Sequence, residues 1–335
     1  MLVAVLVVLV ALSIGAGVVI GSVGLSLGDV AAAVGARLGF HTGVGAGNEY
    51  IVVDLRMPRV VTAAAAGAGL AVAGAVLQSL TGNVLADPYL LGMSSGASVG
   101  AVLVLVTGLG VGVGAGLGPV GVAAFVGALG ALALVFAIAT TRTGALLPNR
   151  LILAGVAVAQ GGAAISSALV YFSDPHAAAA VLRWTLGSVA GARWPSTTLV
   201  TVMVILTLGV VWSYARTLDA FAFGDRAASS LGISVTATRW TLYIAVSLCT
   251  AVIVANSGII GFVGLVVPHV ARLIIGPLHR RMLPVTALLG ALLLVWTDIL
   301  ARSILNQQEL PLGLVTAIIG VPAFVWILRR HGAAA

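Results

Sequence analysis

Apolar runs of about twenty residues, broken only by short polar stretches, leave this chain very few ways to fold. The first of them, residues 1 to 20, contains no charged side chain at all. Of the 335 residues 61% are hydrophobic and 7% are charged, against roughly 25% charged in a soluble domain. So small a polar complement cannot cover so much apolar surface in water, and the chain reads as an all-α polytopic membrane protein. At roughly 20 residues per span it has room for about ten transmembrane helices. The runs place them near residues 1–20, 57–80, 90–107, 119–140, 151–172, 194–214, 240–256, 258–275, 282–302 and 312–328. With 43 glycines and only 6% aromatic residues, those helices are expected to pack backbone to backbone. No short repeat and no linker interrupts the pattern, so residues 1–335 form one transmembrane domain. The first run lacks a basic leader and a cleavage site, and is expected to be a retained helix.

All sixteen basic residues are arginine. They stand singly or in pairs between apolar runs, which fits topology better than nucleic-acid binding. Ten helices put both termini on one side. With that side cytoplasmic, Arg142, Arg150, Arg216, Arg226, Arg239, Arg272, Arg280, Arg281, Arg329 and Arg330 lie inside, and Arg37, Arg56, Arg59, Arg183, Arg193 and Arg302 lie outside. The inward excess predicts cytoplasmic termini. The single cysteine, Cys249, excludes an intrachain disulfide and reads as a packing residue. His41, His176, His269, His279 and His331 show no metal-ligand spacing.

Four stretches carry possible mechanism. Arg56 and Arg59 flank Pro58 at the outer start of the second span, where cations oppose both the helix dipole and the positive-inside bias. Arg302 closes the ninth span, four residues after Asp298, so that pair can bond along one helix face. Snorkelling with ion pairing to Asp54 and Glu309 is one explanation; an electropositive rim for an acidic partner is the other. The inward segment 216–239 holds Phe221, Phe223 and then Asp225-Arg226-Ala227-Ala228 up to Gly232, and predicts two short helices on the membrane face. Outside, residues 21–55 form a long connection, and 173–194 suits an interfacial helix anchored by Trp184 and Trp194. The glycine-rich run 108–118 has no following Lys-Ser/Thr and reads as a connection. In the third stretch, 257–284, closely spaced glycines precede Pro268 and His269, which fits a tightly packed, bent helix. The fourth set is the span-borne amides and hydroxyls: Gln78, Asn83, Ser94, Ser95, Ser98, Gln160, Ser166, Ser167 and Asn256. They serve either as interhelical hydrogen bonds or as the wall of a pathway that lets a bulky solute slip past.

Taken together the sequence resembles the FecCD-type permeases, membrane subunits of ATP-binding-cassette importers for iron-siderophores, haem and cobalamin. The resemblance rests on Arg56-Met-Pro-Arg59, Gly74–Gln78, Asn83–Pro88 with Gly92, Gly258–Arg272, Glu309–Gly313 and Gly320–Phe324. It implies a homodimer in the bacterial cytoplasmic (inner) membrane, with no enzymatic activity and no cofactor of its own. ATP would be hydrolysed on two separate ATP-binding cassette subunits. It also implies that Arg56, Arg59 and Arg302 meet an extracytoplasmic substrate-binding protein, and that Asp225, Arg226, Ala227, Ala228 and Gly232 couple to the ATPase. Asn83 and Leu85, with Ser166 and Ser167, match regions that gate the pathway on the cytoplasmic side; topology alone puts the two serines nearer the outer half. A ferric siderophore is the expected cargo, with haem or cobalamin as alternatives. Where the family turn reads Asn-Pro-Leu-Ala, Val84 follows Asn83 here, which removes one rigid element. The rival class is an ion-coupled secondary transporter, for which only Asp298 and His269 qualify as intramembrane ionisable groups.

Overall fold

The computed structural model describes residues 1–21, 24–40, 45–109, 116–142, 144–305 and 308–332, without the side chains of 326–328 and 330–332. His41, most of the 108–118 run and the side chains of Arg330 and His331 lie outside the described residues. The described chain is helical: α1 Leu2–Val19, α2 Leu27–Arg37, α3 Ala46–Tyr50, α4 Met57–Thr81, α5 Met93–Thr107, α6 Pro119–Ala139, α7 Pro148–Tyr171, α8 Pro175–Thr185, α9 Trp194–Ser213, α10 Ala215–Phe221, α11 Asp225–Ser230, α12 Val235–Ser257, α13 Val263–Ile275, α14 His279–Ser303 and α15 Leu312–Gly332. A π-helical turn, Ile51–Arg56, joins α3 to α4, and a 3-10 turn, Pro88–Leu91, precedes α5.

Among the described residues seven helical stretches are long and apolar enough to cross a membrane: α1, the continuous Ala46–Thr81 run, α6, α7, α9, α12 and α14. Three shorter apolar helices, α5, α13 and the Leu312–Val325 part of α15, complete the match to the ten expected runs. Two of these are short for a visible reason. Before α5 the backbone turns back into the bundle through buried Pro88 and Leu91, and before α13 the segment 258–262 descends past buried Ile260. Non-helical backbone is tolerable at that depth because protein surrounds it. The Tyr89 hydroxyl donates to the Ile260 carbonyl at 3.1 Å and accepts from its N–H, tying the two irregular segments together. Among the described residues Phe262 is the non-glycine residue with positive φ, at 69°. The strain of that conformation lets the chain turn sharply into α13.

Helix α4 runs through the middle of the bundle, touching α14, α9, α13, α12 and α1. It is buried on nearly every side because it carries almost no bulk. A Cβ on Gly67 would collide with the Gly290 carbonyl of α14, and one on Gly74 with the Gly264 carbonyl of α13. The bundle ends form two faces. The first gathers the C-termini of α1 and α14 with the N-termini of α4 and α9. The second gathers the end of α4, the starts of α12 and α14, and α10 and α11. The predicted short helices of 216–239 are α10 and α11, and the predicted interfacial helix is α8, whose N-cap Asp174 accepts from the amides of His176 and Ala177. Within 21–55, where only a connection was expected, α2 stands behind a reciprocal Ser26/Asp29 capping box.

The glycine contacts predict a position-specific cost. Gly67→Leu should lower the unfolding free energy in detergent by about 1–3 kcal/mol or more, since a backbone carbonyl cannot rotate out of the way. Gly130→Leu on α6, where a Cβ meets nothing within 4 Å, should leave thermal unfolding unchanged.

Candidate functional site: two charged faces and a polar groove

At the first face the carboxylate of Asp298 is 1% exposed and is gripped by two arginines. Arg59 donates through Nε to Oδ1 at 2.9 Å and Oδ2 at 3.2 Å, and its Nη2 lies 2.9 Å from Oδ1. Arg302 Nε approaches Oδ2 to 3.4 Å, an ion contact along the i, i+4 face. Arg59 reaches on with Nη1 to Glu309 Oε1 at 2.9 Å, so Glu309 is its second acidic partner. Arg56 donates to the carbonyls of Val18 and Val19, each at 2.8 Å, and Arg302 to the carbonyl of Gly17. The last carbonyls of α1 have no intrahelical donor and carry the negative end of its dipole, so two guanidiniums cap that helix. Arg56 and Arg302 are each only 6% exposed. The three arginines expected as a rim therefore lie together, but Arg56 and Arg302 are buried inside the fold rather than displayed on it. The exposed cations of this face are Arg37, Arg183 and Arg193.

At the second face Arg239 of α12 forms a fork with Asp225, Nη1 to Oδ2 and Nη2 to Oδ1, both at 2.9 Å. The same guanidinium stands 5.6 Å from the Phe221 ring centroid and points at the Leu80 carbonyl at the end of α4. Asp225 thus belongs to an internal lock, and Arg239 is the residue that sequence reasoning left as a mere topology marker. Of the other expected coupling residues, Arg226 and Gly232 are exposed, Ala227 is half-buried and Ala228 is buried. Phe223 and Leu231 stand out beside them, 81% and 71% exposed.

Asn83 and Leu85 form the turn that leaves α4 at this face. Asn83 Oδ1 accepts from the Leu85 N–H at 2.9 Å, and the Asn83 carbonyl accepts from the Ala86 N–H. The Asn83 side chain thus supplies closure that a following proline would otherwise provide, and Val84 stands exposed on the outside. Asp87, directly before Pro88, caps the 3-10 turn through the Tyr89 N–H at 2.9 Å.

Ser166 and Ser167 are not with Asn83. They lie in the half of α7 that leads to the first face, on a groove of about 730 Å³ between α5, α7 and α8 that also takes in Ser94, Ser95, Ser98, Gln160, Tyr171 and Thr185. Gln160, Ser167 and Tyr171 are exposed, so the groove opens on the flank of the subunit. The Ser166 Oγ is buried and has no hydrogen-bond partner among the described residues. His269 is buried in α13. Among the described residues no group of three or more His, Cys, Asp or Glu side chains could hold a metal ion.

A helical membrane bundle with an uncharged groove on its flank and opposed charged faces is the build of a transport permease. Residues 5–330 match the FecCD transport family, and the chain belongs to it. It is 42% identical over 285 residues to the vitamin B12 import system permease protein BtuC of Vibrio cholerae, covering 84% of each chain. Over 291 residues it is 42% identical to the Fe(3+) dicitrate transport system permease protein FecD of Escherichia coli, covering 85% of this chain and 87% of that one. A solved structure described as an inward-facing conformation of a putative metal-chelate type ABC transporter superposes with a TM-score of 0.85 at 28% identity, covering 98% of this chain and 99% of that one.

The Asp298 cluster predicts a sign pattern. Arg59→Ala should destabilise the protein by roughly 3 kcal/mol, because it strips the main partner from a buried carboxylate. Arg59→Ala combined with Asp298→Ala should recover much of that loss in the same detergent unfolding assay.

Proposed function

We propose that the chain is the permease subunit of an ATP-driven importer that carries a bulky metal chelate inward. The observation that carries the proposal is the groove between α5 and α7. Its walls offer hydroxyls and an amide, Tyr171 is the one ionisable lining residue among the described residues, and Ser166 holds an unspent hydroxyl there. Such a wall can exchange hydrogen bonds with a large solute without holding an ion tightly. Because the groove is open along the flank, a second copy of the chain closes it into a central pathway, and the functional unit is a homodimer. Ser166 and Ser167 line its outer half, and Asn83 and Leu85 gate its inner end.

In this reading the second face is cytoplasmic, together with both termini, and the membrane is the bacterial inner membrane. Two ATP-binding cassette subunits dock on the exposed surface of Arg226, Leu231 and Gly232, with Asp225 and Ala228 holding that surface to the bundle. ATP stays on those subunits, and the permease itself performs no chemistry. The first face receives an extracytoplasmic binding protein. Arg56, Arg59 and Arg302 are the docking arginines, with Arg59 the one within reach: a carboxylate from the partner exchanges with the half-exposed Glu309, while Arg56 and Arg302 hold the rim in shape. Cargo is a ferric siderophore; the equal similarity to vitamin B12 and ferric dicitrate permeases makes cobalamin the competing cargo, with haem behind it. An ion-coupled secondary transporter is disfavoured because Asp298 is already neutralised by its arginines.

Reconstitution with the cognate ATPase and binding protein tests the reading: cargo should stimulate ATP hydrolysis, and uptake should require ATP. Uptake that persists without any ATPase would sink it. Glu309→Gln should tighten binding-protein docking severalfold by removing the internal competitor, and docking should weaken with added salt. Unchanged docking in Glu309→Gln would remove Arg59 from the interface.

A further inference from the structure

Asp219, His279 and Ser79 come from three helices and form one hydrogen-bonded chain at the second face. Asp219, on α10, places Oδ1 2.6 Å from Nδ1 of His279 and accepts from the His279 backbone N–H at 2.8 Å. It thereby caps the N-terminus of α14, whose first amides lack intrahelical acceptors. The other ring nitrogen, Nε2, lies 2.6 Å from Ser79 Oγ near the end of α4. The order Ser-His-Asp matches a hydrolase nucleophile and its base. Ser79, however, sits inside continuous helix, where the neighbouring amides are committed to carbonyls four residues back and none is left to hold an oxyanion.

We infer that Ser79, His279 and Asp219 are positioning residues forming a releasable clasp, which transmits movement of α10 in the coupling segment to the inner end of α4 and its Asn83–Leu85 turn. This rests on the importer reading above. Two features make the link reversible. Ser79 Oγ also lies 3.0 Å from the Ala75 carbonyl, and a hydroxyl has a single proton, so donation to Nε2 and to that carbonyl are alternatives. When His279 withdraws, Ser79 falls back on its own helix. At the other end the Asp219 side chain is 26% exposed and can take water in place of the imidazole. Neither end is left as a buried unpaired group, and the penalty for breaking the chain falls on the buried His279 ring between them.

The surroundings fit a moving part beside a fixed one. Next to Ser79, Gln78 accepts from Arg272 Nη1 at 2.6 Å and donates to the carbonyls of Gly264 and Leu265, which ties α4 to α13. Against the clasp lies a cavity of about 370 Å³ lined by Gly82, Val84, Phe221, Phe223 and Leu278 among others, which gives α10 room to swing. Arg272 and Asp219 are the charged groups lining that cavity with His279.

The test uses the full chain in lipid nanodiscs, alone and assembled with its ATPase and binding protein. Cargo moved per ATP hydrolysed should fall about tenfold in His279→Gln and Ser79→Ala, the order expected from removing one hydrogen bond of coupling, while ATP hydrolysis persists. Asp219→Asn keeps an acceptor for both His279 bonds and should retain most of the ratio; Asp219→Ala should not. Independently of cargo, hydrogen exchange in the permease alone should rise together in residues 79–86 and 215–224 of His279→Gln. Uptake and hydrolysis falling in proportion, or exchange rising only at the start of α14, would overturn the clasp. A wild-type assembly without ATP-dependent uptake refutes the importer reading instead, and the exchange measurement still decides whether the clasp exists.

Discussion

The bundle depends on how closely two backbones approach α4. Gly67 faces the Gly290 carbonyl and Gly74 faces the Gly264 carbonyl, with no side chain between them. In lipid there is no hydrophobic gain from bringing helices together, so association rests on packing contacts, and close backbone approach maximises these. The approach also sets everything polar around it. With α14 held against α4, Asp298 comes within reach of Arg59; with α13 held there, Arg272 reaches Gln78. A wider spacing would leave each of these groups without its partner.

The arginines follow from the same economy. A cation near the bilayer is costly unless a carboxylate, a carbonyl or water meets it. Arg59 and Arg302 share Asp298, Arg56 and Arg302 cap α1, and Arg239 takes Asp225 as a fork. Apart from the Arg302–Asp298 contact within α14, each of these bonds fastens one element to another, so the charges that mark topology in the sequence also fix helix ends in the fold. The lock between α12 and α11 and the chain from α10 to α14 and α4 each attach the second face to the bundle.

Much of this is legible from hydropathy alone. Each of the ten apolar runs is a helix, with starts and ends displaced by a few residues, and the short helices α8, α10 and α11 fall where the polar connections are long. The largest displacements, five residues each, are at the starts of α12, which begins early at Val235, and of α13, which starts late at Val263 because the preceding five residues are non-helical. Nothing in an apolar run distinguishes helix from irregular backbone buried among other helices, so hydropathy counts that segment, and Leu90 and Leu91 at the end of the 3-10 turn, as span. Helix α2 could have been found, since Ser26 and Asp29 stand at capping-box spacing. The Arg239–Asp225 fork and the Ser79–His279–Asp219 chain could not, because their members are separated by 14, 200 and 60 residues.

By itself the sequence determined that this chain lives in a membrane as a tightly packed helical bundle. That conclusion depends only on composition and on the period of polar breaks, which are local properties. It also marked the arginine-bearing ends and the polar residues that a pathway would need. The tertiary structure alone decided which arginines remain exposed and turned two scattered residues and one histidine into a chain. Partner choice among charged and polar groups depends on distances of a few ångströms between helices far apart in the sequence, and only the packing around α4 sets those distances.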